Sequence, residues 1–239
     1  MEFFKKLKHL LFIDIETVSC VESYAQLDER LKPLWNRKAF ILNAETPADE
    51  LFNERAAIYS EFGKIITIAT GFFFLNEQGK LSFRVKGISN DNERTLLIEL
   101  NELFSRFNER KLTLCAHNGK EFDYPYICRR MLVNGVTIPE VLQLSGKKPW
   151  EVRHEDTMEM WKFGDRKAYT SLELLAALFN IPQSKGEFDG SKVKKMYYEE
   201  KNLGKINDYC IKDVVMTAQV YLKLNGWPIV EEENIYLVS

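Results

Sequence analysis

Apolar and polar positions alternate along the chain in two distinct rhythms. Residues 9–15 are apolar, few and closed by acids, the pattern of a short buried strand. Residues 64–75 are dense in Ile, Thr and Phe, and 81–88 place Leu81, Phe83 and Val85 on one face. Asn76, Glu77, Gln78 and Gly79 lie between these runs and supply a turn, so together they predict a β-hairpin. Leu96, Leu97, Leu100, Leu103, Phe104 and Phe107 then follow helical spacing, with Asn90 and Asp91 placed to cap the start. Residues 112–116 are apolar on both faces, as in a strand covered from both sides. A helix over 122–132 and a short strand over 151–156 come next. Thr170 and Glu173 have capping-box spacing and open a helix through Phe179, stopped by Asn180, Ile181 and Pro182. The last helix is predicted over 205–224 and ends at Asn225, Gly226, Trp227 and Pro228.

One region breaks the rhythm. Residues 22–62 are charged, rich in Ala and Leu and punctuated by Pro33 and Pro47, which predicts two helical pieces inserted between the first two strands. The order of elements is that of an α/β protein with a mixed five-stranded sheet and helices on its faces, not an all-parallel doubly wound sheet.

At 239 residues the chain fits one large domain, and we expect 1–239 to form a single domain with 22–62 as its insertion. The net charge of -2 excludes a bulk basic field, so a nucleic-acid partner has to be held by a local groove or by metal ions. The four cysteines, Cys20, Cys115, Cys128 and Cys210, show no CxxC spacing and read as reduced thiols. The apolar run after the first lysines stops at Asp14, and 65–75 falls short of the roughly 20 residues a membrane helix needs. No membrane contact and a cytoplasmic location are expected.

Three constellations carry chemistry. Asp14 and Glu16 sit two apart at the end of the first strand, so they project to the same face. Such a pair either marks a strand end emerging into water or holds a hard divalent cation. Asn118, Gly119, Phe122 and Asp123 follow the 112–116 strand; Gly119 permits a sharp turn, and Asp123 falls in the first turn of a helix, where its charge suits the dipole. Tyr209 and Asp213 are four apart in the last helix and share one face, which continues into apolar Met216 and Val220.

In that order, D-x-E, N-x-x-x-F-D and Y-x-x-x-D, these segments resemble the signatures of the DEDD family of 3′–5′ exonucleases, in its Tyr-containing branch. The proofreading exonuclease domain of family B DNA polymerases is similar over about residues 9–224. Lys167, Ala168, Tyr169, Thr170, Ser171 and Leu172 also resemble, more loosely, a Lys-Tyr-Ser-Leu stretch of those domains. The resemblance implies a ribonuclease H-like fold and removal of nucleotides from the 3′ end of a nucleic acid; DNA is the expected substrate, with an RNA-trimming exonuclease as the alternative and a non-catalytic nucleic-acid-binding module as a further one. It implies two Mg²⁺ or Mn²⁺ ions, with Asp14 between them, Glu16 and Asp213 on the nucleophile side and Asp123 on the leaving-group side. Tyr209 would orient the attacking water, while Thr17, Asn118, Phe122 and Lys167 would seat the terminal nucleotide. No polymerase domain follows, so a stand-alone exonuclease is expected.

Other residues invite roles by type. His117 adjoins the second motif and reads first as a turn-stabilising residue. His154 beside Asp156 suggests a metal pair, which the ligand set above makes unnecessary. Lys192, Lys194, Lys195, Lys201 and Lys205, with Tyr197 and Tyr198, have the mixture that suits a single strand. The acids among them favour a solvated helix face.

Overall fold

The computed structural model describes residues 3–108, 111–165, 169–182 and 192–238. The chain runs α1 (Phe4–Leu7), β1 (Leu10–Ser19), α2 (Lys32–Leu42), α3 (Ala48–Arg55), β2 (Gly63–Leu75), β3 (Leu81–Ser89) and α4 (Glu93–Ser105). It continues through β4 (Thr113–Ala116), α5 (Asp123–Val133), β5 (Glu155–Asp156), α6 (Thr157–Lys162) and α7 (Leu172–Leu178). Last come α8 (Val193–Tyr198), α9 (Leu203–Leu224) and β6 (Ile235–Leu237). The strands form a mixed sheet in the order β5-β4-β1-β2-β3-β6. β2 is antiparallel to both β1 and β3, whereas β4, β5 and β6 each run parallel to a neighbour. Six strands replace the expected five, because 235–237 adds an edge strand beside β3.

Alternation along β1 explains why both faces are covered. Leu11, Ile13 and Ile15 enter one core with Leu96, Leu97, Leu100 and Phe104 of α4 and Tyr124, Ile127 and Met131 of α5. Leu10 and Phe12 enter the opposite core, under Cys210, Val214, Ala218 and Tyr221 of α9. There Phe12 meets Phe73, Phe83 and Tyr221 edge-on at 5.3, 5.7 and 5.5 Å between ring centres. Such edge contacts add about 0.5–1.5 kcal/mol each beyond the burial itself.

β1 runs on past Ile15 to Ser19, because its pairing with β2 continues through Asp14–Ala69, Glu16–Thr67 and Ser19–Gly63. In the insertion both prolines start helices: Pro33 is in the first turn of α2 and Pro47 precedes α3. A missing N–H costs nothing at those places. Trp35 packs edge-on against Phe52 and Phe62 and donates its ring N–H to the Ala48 carbonyl at 2.7 Å, closing a small core of the insertion's own.

Cap positions shift by a residue or two from expectation. Asn92, not Asn90 or Asp91, caps α4 by accepting from Thr95 N at 3.1 Å, and Asn90 supports it from the preceding turn. Ser171, not Thr170, caps α7. The 151–156 strand shrinks at its start to Glu155–Asp156, because Pro149–Glu151 forms a 3-10 turn; Asp156, still paired with Ala116, also caps α6.

Candidate active site

Following β1 along its α9-facing row, Leu10 and Phe12 are apolar and the next two positions are Asp14 and Glu16. Their neighbours across on β2, Ala69 and Thr67, are small and leave room around the acids. α9 lies close to the sheet here. A Cβ on Gly87 of β3 would stand 2.3 Å from Asn207 Oδ1, so the glycine leaves room for the Asn207 side chain of α9. One turn further, α9 presents Tyr209, Cys210 and Asp213. Carboxylate oxygens of Asp14, Glu16 and Asp213 then lie within 4.8 Å of one another. The Cys210 thiol donates toward Asp14 Oδ2 at 3.3 Å, and the Tyr209 phenol hydrogen-bonds the Asp213 carboxyl.

Asp123 arrives from the other side. β1 pairs with β4 only over 10–12, and beyond that its backbone on this edge is open. Asp123, the first residue of α5 and buried, accepts from Ile15 N at 3.2 Å through Oδ1. The link from β4 to α5 is tight. Asn118 takes the left-handed conformation with φ 64°, while Gly119, expected to make the turn, is needed for proximity instead. A Cβ on Gly119 would stand 2.4 Å from the Ala116 Cβ.

Asp156 holds this link in place, a role its neighbours in the sequence do not reveal. Its carboxylate accepts from Asn118 N at 3.0 Å and Lys120 N at 3.1 Å, and also from Met158 N and Glu159 N at the start of α6. The only hint in the sequence is that an Asp before Thr157 is a good helix cap. His117 is likewise a tie, with Nδ1 2.9 Å from Thr157 Oγ1 and Nε2 2.9 Å from the Thr170 carbonyl. His154 is buried, bonded to Leu114 N and the Val141 carbonyl, and burial lowers its pKa to about 4. Both of its ring nitrogens are taken within the core, so His154 and Asp156 do not form a metal pair.

The other expected substrate contacts are placed unevenly. The Asn118 Oδ1 atom is buried with no hydrogen-bond partner among the described residues. Phe122 is half-buried, its ring 5.3 Å from that of Tyr126. Just past Glu16 the register with β2 slips, and Thr17 donates its hydroxyl to the Ala57 carbonyl at 3.0 Å, an oxygen shared with Tyr126 OH. What Thr17 still offers the cleft is its backbone. Lys167 lies outside the described residues, as does part of the lysine- and tyrosine-bearing stretch. In the described part, Lys194 bonds Asn53, Tyr197 bonds Lys64 and Asp91, and Tyr198 bonds the Ser19 carbonyl. These tyrosines fasten α8 to the sheet and are not free to stack on bases. All four cysteines are free thiols.

The electrostatics of the acids are one-sided. Among the described residues none of the ion pairs within 4.0 Å involves Asp14, Glu16, Asp123 or Asp213. Burial, then repulsion from Asp123, Asp213 and Glu16, pushes the Asp14 carboxyl well above the usual carboxylate range. Glu16 is raised in the same way, by burial and by Asp213 and Asp123. Burial lifts Asp123 to about 7 against the lowering effect of its backbone hydrogen bonds. Asp213 also rises to about 7 through burial, opposed by the Tyr209 hydrogen bond and aided by the nearby charge of Glu173. The same burial, with Asp213 close by, raises the Tyr209 phenol above its ordinary value, so it stays protonated. Four carboxylates with no ion-paired cation among the described residues form a site that attracts positive charge. Oxygen-only donors suit a hard divalent ion.

Comparison with known proteins agrees with this geometry. Residues 58–228 match a family described as "Predicted 3'-5' exonuclease related to the exonuclease domain of PolB". That span contains Asp123, Tyr209 and Asp213; Asp14 and Glu16 precede it. The fold is similar to the family B DNA polymerase from the hyperthermophilic archaeon Pyrobaculum calidifontis, with TM-score 0.57 and 14% identity over 90% of this chain. The similarity spans 24% of that polymerase. No curated protein matches the chain. Among the described residues, no helix is long and apolar enough to cross a membrane. With a family match that covers most of its length and the acids gathered as above, the chain belongs to the family of predicted 3′–5′ exonucleases related to the exonuclease domain of PolB.

Proposed function

We propose that the protein hydrolyses the terminal phosphodiester at the 3′ end of DNA, on single-stranded or frayed ends, and releases nucleoside monophosphates. The observation that carries this reading is the group Asp14, Glu16 and Asp213, with oxygens within 4.8 Å and no protein cation among the described residues to balance them. This donor set fits divalent ions of the Mg²⁺ or Mn²⁺ kind. Asp14 would help to hold two ions, Glu16 and Asp213 one of them, and Asp123 the other. When bound, such ions acidify water and neutralise charge at the phosphate being cut.

The chain's own residues do the rest. Tyr209, held against Asp213, directs its hydroxyl at the attacking water and orients it. The Asn118 amide, the Phe122 ring and the Thr17 backbone seat the terminal nucleotide, and Lys167 is assigned to the same task from the sequence. Asp156 fixes the backbone of the Asn118 loop, so this seat is rigid before substrate arrives.

A 5′-labelled single strand, offered as DNA and as RNA of equal sequence with Mg²⁺ or Mn²⁺, tests the reading. A ladder shortening from the 3′ end, stopped by chelator and faster on DNA, is expected. Cutting of a closed single-stranded circle would overturn the exonuclease reading, and faster RNA shortening would overturn the choice of DNA.

A further inference from the structure

We propose that Cys210 is a positioning residue for Asp14: its thiol fixes the orientation of the carboxyl that joins β1 to the metal-binding group. The inference rests on the metal-dependent reading above.

Cys210 is fully buried at the height where α9 crosses β1. Its Sγ lies 3.3 Å from Asp14 Oδ2 and 3.4 Å from the Asp14 carbonyl. Among the described residues no other side chain or amide donates to the Asp14 carboxyl. Further along the same face of α9, Val214, Ala218 and Tyr221 meet apolar strand residues, Phe12 among them. At Cys210 the strand offers an acid instead, so this one position of the stripe needs a donor and not an alkyl group.

A thiol suits that position for a physical reason. Lys or Arg there would place a cation among the carboxylates and compete with the metal for them. The S–H is neutral and a weak donor, so it steers one lone pair without drawing off the carboxylate's charge. α9 therefore delivers a ligand (Asp213), a water-orienting phenol (Tyr209) and the donor that fixes the opposing ligand. Together they set the spacing between β1 and α9 in the metal group.

The test is Mn²⁺ binding followed by electron paramagnetic resonance, which needs no turnover, alongside shortening of labelled DNA. Cys210→Ala and Cys210→Val remove the donor, and the second keeps the volume; Cys210→Ser keeps a donor. Partners of a metal ligand usually change affinity 10–100-fold, and the weak S–H belongs at the low end. Ala and Val should weaken Mn²⁺ binding about tenfold, while Ser stays within about threefold of the parent. If Cys210 only fills space in an apolar stripe, the ranking reverses, with Val best and Ser worst, and the proposal is overturned. Should Ala fail to fold, Val against Ser decides the same question. A parent protein that binds Mn²⁺ without shortening DNA would remove the exonuclease reading while leaving the Cys210 ranking measurable. A parent that binds no Mn²⁺ would overturn both.

Discussion

Helix α5 has a buried charge at each end, and the two ends treat it in opposite ways. In its last turn Arg130 donates through Nε to Glu93 Oε1 at 2.8 Å and through Nη2 to Oε2, while Nη1 reaches the Ser60 carbonyl at 2.9 Å. Ile65 N and Asn134 Nδ2, both at 2.8 Å, fill the remaining positions around Glu93. At its first residue, Asp123 accepts from Ile15 N and lies near the Asp14 and Glu16 carboxylates, with no cation paired to it among the described residues. The Glu93 site is complete without any visitor and ties α4, α5 and β2 together. The Asp123 side has lone pairs to spare and like charges crowded together, which is how a fold reserves space for ions it does not itself contain.

This contrast can be broken, beginning with the largest expected effect. Asp14→Ala or Asp213→Ala should lower single-turnover DNA hydrolysis by several orders of magnitude. The metal-free variant should melt no lower than the parent, because a repelling charge is gone. Near-parental turnover in either variant would erase the distinction between the two ends. Arg130→Met should do the reverse. Leaving Glu93 buried without its cation costs about 3–5 kcal/mol in urea unfolding, and the fraction that folds should keep its rate.

The pH dependence sharpens the comparison. Asp123 and Asp213 are raised to about 7 from an ordinary value of 3.8, so the metal-free fold favours their protonated forms. Their stabilising contribution is full below the ordinary carboxylate range and is lost as pH rises through about 7. In EDTA the melting temperature should fall between about pH 4 and pH 7, and Asp14→Asn should flatten that slope. Mg²⁺ at a hundred times its Kd should restore about 2.7 kcal/mol, mostly at the upper end of this range. A flat profile in EDTA would mean that the site is as well compensated as Glu93.

The smallest effect belongs to Tyr209→Phe. Loss of one hydroxyl from the water-orienting position should cost about 1–3 kcal/mol in the single-turnover barrier, with Mn²⁺ affinity unchanged. Equal rates for the two would reduce Tyr209 to packing against α9's neighbours.

The acids were legible in the sequence because side-chain periodicity alone puts Asp14 with Glu16 and Tyr209 with Asp213, and their order along the chain matches a known set. The hairpin, the insertion's two helices and the long last helix were legible for the same reason. What escaped depends on distant partners. Asp156 reads as a plain helix cap until the fold brings Asn118 and Lys120 to it. β6 is three residues long and is a strand only because β3 lies beside it. Gly119 invited a turn, but the left-handed residue is Asn118, and the glycine answers to Ala116 packed against it. The partner of the Thr17 hydroxyl, the Ala57 carbonyl in the insertion, is likewise visible only in the fold.

Cys210 and Asp14 touch although 196 residues separate them in the chain. A ribosome making this protein releases β1 and its two acids long before α9 exists, and until that helix docks the acids have no Asp213 and no thiol beside them. The group of acids is therefore complete only once α9 has docked. A chain stalled before α9, or one from which a protease has removed it, lacks Tyr209 and Asp213. On the function proposed above, such a partial product should not trim nucleic acid.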